Sequence, residues 1–157
     1  MSSPALPDNW REWLWSFAPL LVWAGVILFL SSPFGSMGHT SMFVRPVLIF
    51  LFPSADDSTL EIYHGYVRKT AHFTEYAVLA LFAVRGFGRS ATEFLWRHRS
   101  VFALGVVIAI ACVDEINQSF EPSRTGSFRD VLLDVFGGST AIAILMLLRY
   151  QPRADQQ

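Results

Sequence analysis

Apolar residues run along this chain in four long blocks separated by polar clusters, and their lengths suit helices rather than the alternation of strands. Trp13 to Leu30 carries no charge over about 18 residues, close to the ~20 needed to cross a bilayer. Trp13 and Trp15 suit the aromatic belt of the lipid–water interface, and Ser31-Ser32-Pro33 closes the block. The region before it is not clearly cationic and Trp, Phe and Pro interrupt it, so an uncleaved transmembrane helix is favoured over a signal peptide. The pattern predicts an all-α fold: an integral membrane bundle of four transmembrane helices at about 13–31, 68–85, 100–118 and 130–149. A short apolar stretch near 42–53, broken by Arg45, Pro46 and Pro53, reads as an interfacial or re-entrant segment. Asp56 to Thr59 reads as an exposed turn with helix-start signals. Residues 1–12 and 150–157 are then tails, and 13–149 form one domain.

Composition agrees with this pattern. Of the 157 residues 52% are hydrophobic and 16% charged, against roughly 25% charged in soluble domains. A formal net charge of -1 argues against nucleic acid as a partner. The single cysteine, Cys112, excludes an internal disulfide and a Cys-rich zinc site, and within an apolar run it reads as a buried packing thiol. His39 and His64 read as exposed loop histidines. Arg85, Arg89, Arg97 and Arg99 make the most basic connector, which predicts that it and both termini are cytoplasmic in a bacterial inner membrane.

Four alternating spans bring the start of the second, the end of the third and the start of the fourth to one membrane face. Those ends carry Lys69, His72, Glu75 and Tyr76; Asp114, Glu115, Asn117 and Gln118; and Asp130 with Asp134. At about 100° per residue Lys69, His72 and Tyr76 share one helical face, with Glu75 on its flank. Asp130 and Asp134 share a face with Gly137 and Ala141, small residues that permit close helix approach. An ionisable residue within a span costs roughly 2.5–3.5 kcal/mol and usually faces a partner or cavity. The expectation is one polar, net-acidic pocket at the outer face. Pro122 and Gly126 mark a tight turn that would direct Arg124 over it, with a forked guanidinium suited to phosphate.

These segments resemble the VanZ-like membrane proteins, a family named after a protein associated with teicoplanin resistance. The resemblance rests on Ser31-Ser32-Pro33, Lys69-x-x-His72-x-x-x-Tyr76, Asp114-Glu115-x-x-Gln118-x-Phe120, Pro122-x-Arg124 and Asp130-x-x-x-Asp134-x-x-Gly137, in order over about residues 25 to 145. Ser123 stands where the family often has Gly, and Asp134 where Asn is common. The resemblance implies a multi-span cell-envelope protein, with a role in glycopeptide susceptibility as its further implication.

Three function classes follow. The leading one is a binding protein whose pocket engages a membrane lipid or a lipid-linked, glycolipid or lipoglycopeptide component. Lys69 and Arg124 would meet anionic groups, while Tyr76, Gln118 and the carboxylates Asp114, Glu115, Asp130 and Asp134 supply hydrogen bonds. The second is an intramembrane enzyme with His72 as acid or base and Glu75 or Asp114 orienting it, although no required catalytic signature is present. The third is a structural partner of another membrane protein, and a salt-bridge network serving helix register alone is the plainest alternative. No cofactor is expected, except that Asp130 and Asp134 with Asp114 or Glu115 could hold a divalent metal.

Overall fold

A computed structural model describes residues 10–32, 37–120 and 127–149, and among them the structure is helical throughout, with no strand. The helices are α1 (Trp10–Ser31), α2 (Met37–Leu51), α3 (Asp57–Phe87), α4 (Glu93–Arg97), α5 (Arg99–Ser119) and α6 (Phe128–Arg149). Three of them, α1, α5 and α6, are long and apolar enough to cross a membrane, and α2 contains a shorter apolar stretch, Thr40–Leu51. The longest, α3, has 31 residues and spreads Asp57, Glu61, Arg68, Lys69, Glu75 and Arg85 along its length.

Two connections are more ordered than the sequence pattern implies. The helix expected from about residue 68 begins at Asp57, because Asp56 caps it: the Asp56 carboxylate accepts from the Thr59 backbone at 2.9 Å. Hydrogen bonds from Thr59 and then Ser58 hold that carboxyl below its ordinary pKa, so the cap is intact above that range and is lost as pH falls through it. The segment expected near 42–53 is helical as far as Leu51, within the helix α2, which lies along the first half of α3. Arg45 pairs with Asp57 at 2.5 Å, and Phe52 stacks at a tilt on Tyr63, 4.8 Å between centroids. This contact also corrects the reading of His64, which is buried and within 3.2 Å of the Thr40 hydroxyl. The side chain of His39 lies outside the described residues. In the basic connector a short helix, α4, was not expected.

Helices α1, α3, α5 and α6 form the bundle, and its directions follow from contacts at its two ends. At one end Phe87 packs on Phe17 of α1 and Phe102 of α5, while Arg85 donates to the Ser16 carbonyl at 3.1 Å. At the other, Ser31 Oγ donates to the Asp114 carbonyl at 3.2 Å. Hence α1 and α5 run parallel, and α3 runs against both. Gly137 and Gly138 of α6 lie against Phe73 and Tyr76 of α3, so α6 runs parallel to α3.

The interior is built from small side chains, Ala80, Ala83, Ala103, Ala111 and Ala141, around Ile27, Leu79 and Val107. Large apolar residues instead cover the outside, among them Leu21, Val22, Phe29, Ile116, Leu132, Phe136, Leu147 and Leu148. An apolar exterior around a small-residue interior is the arrangement lipid favours, because helix association there depends on close backbone contact. Cys112 belongs to that exterior and is exposed, not a buried packing thiol as its apolar surroundings implied.

Candidate functional site

Asp114 on α5 is the centre of a polar cluster drawn from four helices. Its side chain is 1% exposed. Tyr76 Oη donates to one carboxylate oxygen at 3.0 Å, and Gln118 Nε2, one turn along α5, donates to the other at 3.0 Å. With Ser31 on its carbonyl, Asp114 ties α1, α3 and α5 together.

Helix α6 adds Asp134, also 1% exposed. It reaches the cluster because Gly137, one turn further on, lets α6 approach the backbone of Phe73. His72, next to Phe73, consequently places Nδ1 3.5 Å from Asp134 Oδ1 and 3.8 Å from Asp114 Oδ2. Neither His72 Nδ1 nor Asp134 Oδ1 has a hydrogen-bond partner among the described residues, although both atoms are buried.

His72 also borders a cavity of about 210 Å³ between α1, α2 and α3. Ile27, Leu30 and Ala71 supply its apolar lining, and Ser31, Thr40, Arg68, His72 and Glu75 its polar lining. Arg68, Ala71, His72 and Glu75 recur at helical spacing along one stripe of α3. His72 therefore stands between an open pocket and two buried carboxylates. Such a group can carry protons between them, accept a hydrogen bond from a ligand, or ligate a metal.

Among the expected site residues, His72, Tyr76, Asp114, Gln118 and Asp134 come together, and Glu75 lines the pocket beside them. Lys69 does not join them: it is exposed. It shares the azimuth of Tyr76 but lies seven residues earlier, about 10 Å along the axis. Since Tyr76 is level with Asp114, Lys69 lies beyond the level of the end of α5. Glu115 is half-buried and points the other way, its Oε1 accepting from the Ser127 backbone N–H just before α6. Asp130 is half-buried one turn before Asp134. Arg124, with the turn from Pro122 to Gly126, lies outside the described residues. His72, Asp114 and Asp134 each offer a ligand atom, all within 4.8 Å of one another. The trio differs from the carboxylate set expected to hold a metal by using His72 in place of Asp130 or Glu115.

Ser31, Thr40 and Arg68 were not expected in the site. Arg68 was legible, since it precedes His72 by four residues and Glu75 by seven. Thr40 was not, because nothing in the sequence says how α2 packs.

A model of the VanZ/LLP1 family matches residues 16–149. No curated protein and no solved structure matches the chain significantly.

Proposed function

The chain belongs to the VanZ/LLP1 family, and from that premise we propose that it is a four-span protein of a bacterial cytoplasmic membrane that holds the phosphate-bearing headgroup of a lipid or lipid-linked envelope component. The observation that carries this reading is the mixed lining of the cavity between α1, α2 and α3. Ile27, Leu30 and Ala71 suit the start of an acyl or isoprenoid chain. Arg68 suits a phosphate, and Glu75 and His72 suit an amine or hydroxyl. At about 210 Å³ it is smaller than the ~300–1,000 Å³ of pockets for drug-sized ligands, which favours a headgroup over a whole lipoglycopeptide. An influence on teicoplanin-type susceptibility would then act through the bound envelope component.

The experiment uses the full chain in nanodiscs of phosphatidylethanolamine and phosphatidylglycerol, with retained lipid counted by native mass spectrometry. Arg68→Gln is expected to weaken retention about tenfold, the worth of one charge-assisted hydrogen bond. Equal retention by the variant and the parent would count against the headgroup site.

The fourth span is supported by helix direction. Because α1 and α5 run parallel, a chain crossing with both must return between them, and α3 is the helix that does so. Its polar residues then have a reason to be there, since His72, Glu75 and Arg68 face the cavity or the buried carboxylates. The arginine-rich connector favours cytoplasmic termini. In a Cys112→Ala background, Ser90→Cys is expected to resist a membrane-impermeant thiol reagent in intact cells and to react after permeabilisation. Reaction in intact cells would reverse the orientation.

One observation favours a catalytic second reading. His72 lies between the cavity and Asp134, as a general base would lie between a substrate and its orienting carboxylate. Lipid turnover by the purified protein that vanishes in His72→Gln, with lipid retention intact, would replace the binding reading by this one.

A further inference from the structure

We propose that His72, Asp114 and Asp134 form a binding site for a divalent transition-metal ion of the zinc or manganese class. Two carboxylates buried side by side in a low-dielectric bundle are costly to ionise together, and one imidazolium could offset only one of the two charges. A divalent cation at their centre would let both ionise. The geometry is close to what such an ion requires. His72 Nδ1 is 3.5 Å from Asp134 Oδ1 and 3.8 Å from Asp114 Oδ2. A tetrahedral ion at ~2.0–2.1 Å from its ligands separates them by roughly 3.3 Å. The two edges at His72 need a contraction of a few tenths of an ångström, and the third, between the carboxylates, lies within 4.8 Å and closes by rotation of the carboxylates.

The buried polar atoms without a hydrogen bond are the ones that would ligate. Asp134 is 1% exposed, yet its Oδ1 has no hydrogen bond among the described residues, and the same holds for His72 Nδ1 across from it. Asp114 is oriented from outside, as a metal-binding carboxylate commonly is. Tyr76 and Gln118 occupy one lone pair on each oxygen, and Oδ2 lies 3.8 Å from His72 Nδ1. One imidazole with two carboxylates is harder than the thiolate sets of structural zinc and softer than the all-oxygen sets of calcium or magnesium, hence the ion class.

The site is independent of what fills the cavity, and its test reads metal, not lipid. The full chain, purified in detergent without chelator, is expected to carry about one equivalent of zinc or manganese by elemental analysis. Chelator-stripped wild-type protein is expected to regain thermal stability when either ion is added, and Co²⁺ should give the visible absorption of a tetrahedral or five-coordinate site. Asp134→Asn and Asp114→Asn should each lose at least tenfold in affinity, while Glu75→Gln and Asp130→Asn should retain the metal. Stripped wild-type protein that stays folded yet neither binds nor is stabilised by either ion would overturn the site and leave the three residues a proton-holding network. Because this arm uses the wild type, poor folding of the asparagine variants leaves it decisive.

Discussion

Gly137→Ala is expected to destabilise the bundle by about 3 kcal/mol, at the upper end for one added methyl group. A Cβ at this position runs into the Phe73 carbonyl oxygen and comes within 3.1 Å of its carbonyl carbon and Cα. No rotamer can relieve this, because the obstacle is backbone. Either α3 and α6 move apart along their whole interface or the helix bends locally. The damage reaches the site, since the same approach delivers Asp134 to His72. Gly138→Ala should be milder, because its added Cβ meets the Val107 methyl groups at 2.8 and 2.9 Å, and Val107→Ala should partly rescue it. Gly105→Ala is the control: a Cβ there meets nothing within 4 Å, so the helix-propensity gain of roughly 0.5–1 kcal/mol should appear alone. Thermal unfolding in detergent separates these cases. A Gly137→Ala protein as stable as Gly105→Ala would mean that α3 and α6 are not in backbone contact.

Asp114→Ala is expected to cost about 3–5 kcal/mol, because it strands two donors in the interior and leaves a void. Tyr76 Oη and Gln118 Nε2 both spend their bonds on this carboxylate, and it is 1% exposed. Removing its charge also relieves repulsion from Asp134, which offsets part of the loss. Asp114→Asn isolates that effect: it keeps one acceptor and the shape of the group, so it should cost less than the alanine change. Tyr76→Phe removes one hydrogen bond without stranding a donor and should cost about 1 kcal/mol. A double-mutant cycle of Asp114→Ala with Tyr76→Phe should return a coupling of about 1 kcal/mol or more. Additive losses would show that the tyrosine hydroxyl and the carboxylate do not hold one another.

The two predictions bear on each other through His72. The glycine contact sets how deep α6 sits, and Asp114 sets where α5 and α3 meet. Together they bring the two carboxylates within 4 Å of one imidazole nitrogen. A change that loosens either contact should therefore reduce metal retention as well as stability, whereas Arg68→Gln, on the cavity side of α3, should change lipid retention alone.

Much of the frame was legible in the sequence. Apolar run lengths marked the three long apolar helices α1, α5 and α6, alternating helix directions put the polar ends together, and small residues at Gly137 and Ala141 marked where α6 could come close. Sequence also sufficed to bring Tyr76, Asp114 and Gln118 into one expected cluster. Capping was readable at Asp56 to Thr59, yet its consequence, an α3 that begins eleven residues before the expected span, depends on α2 packing along that extension.

Tertiary structure alone decided which side of each helix faces inward and at what depth. In a soluble helix the polar face marks the outside, but around this bundle lipid and interior are both apolar, so periodicity loses its sign. Cys112 could therefore be read as buried when it is exposed, and Lys69 could be read as lining the site when Arg68 does. One residue along a helix is a turn of about 100° and a rise of 1.5 Å, enough to carry a side chain from the pocket to the outside. Sequence determines the polar inventory and the end of the bundle where it gathers. Packing of α6 on α3 through Gly137 decides that His72, Asp114 and Asp134 are the residues that meet.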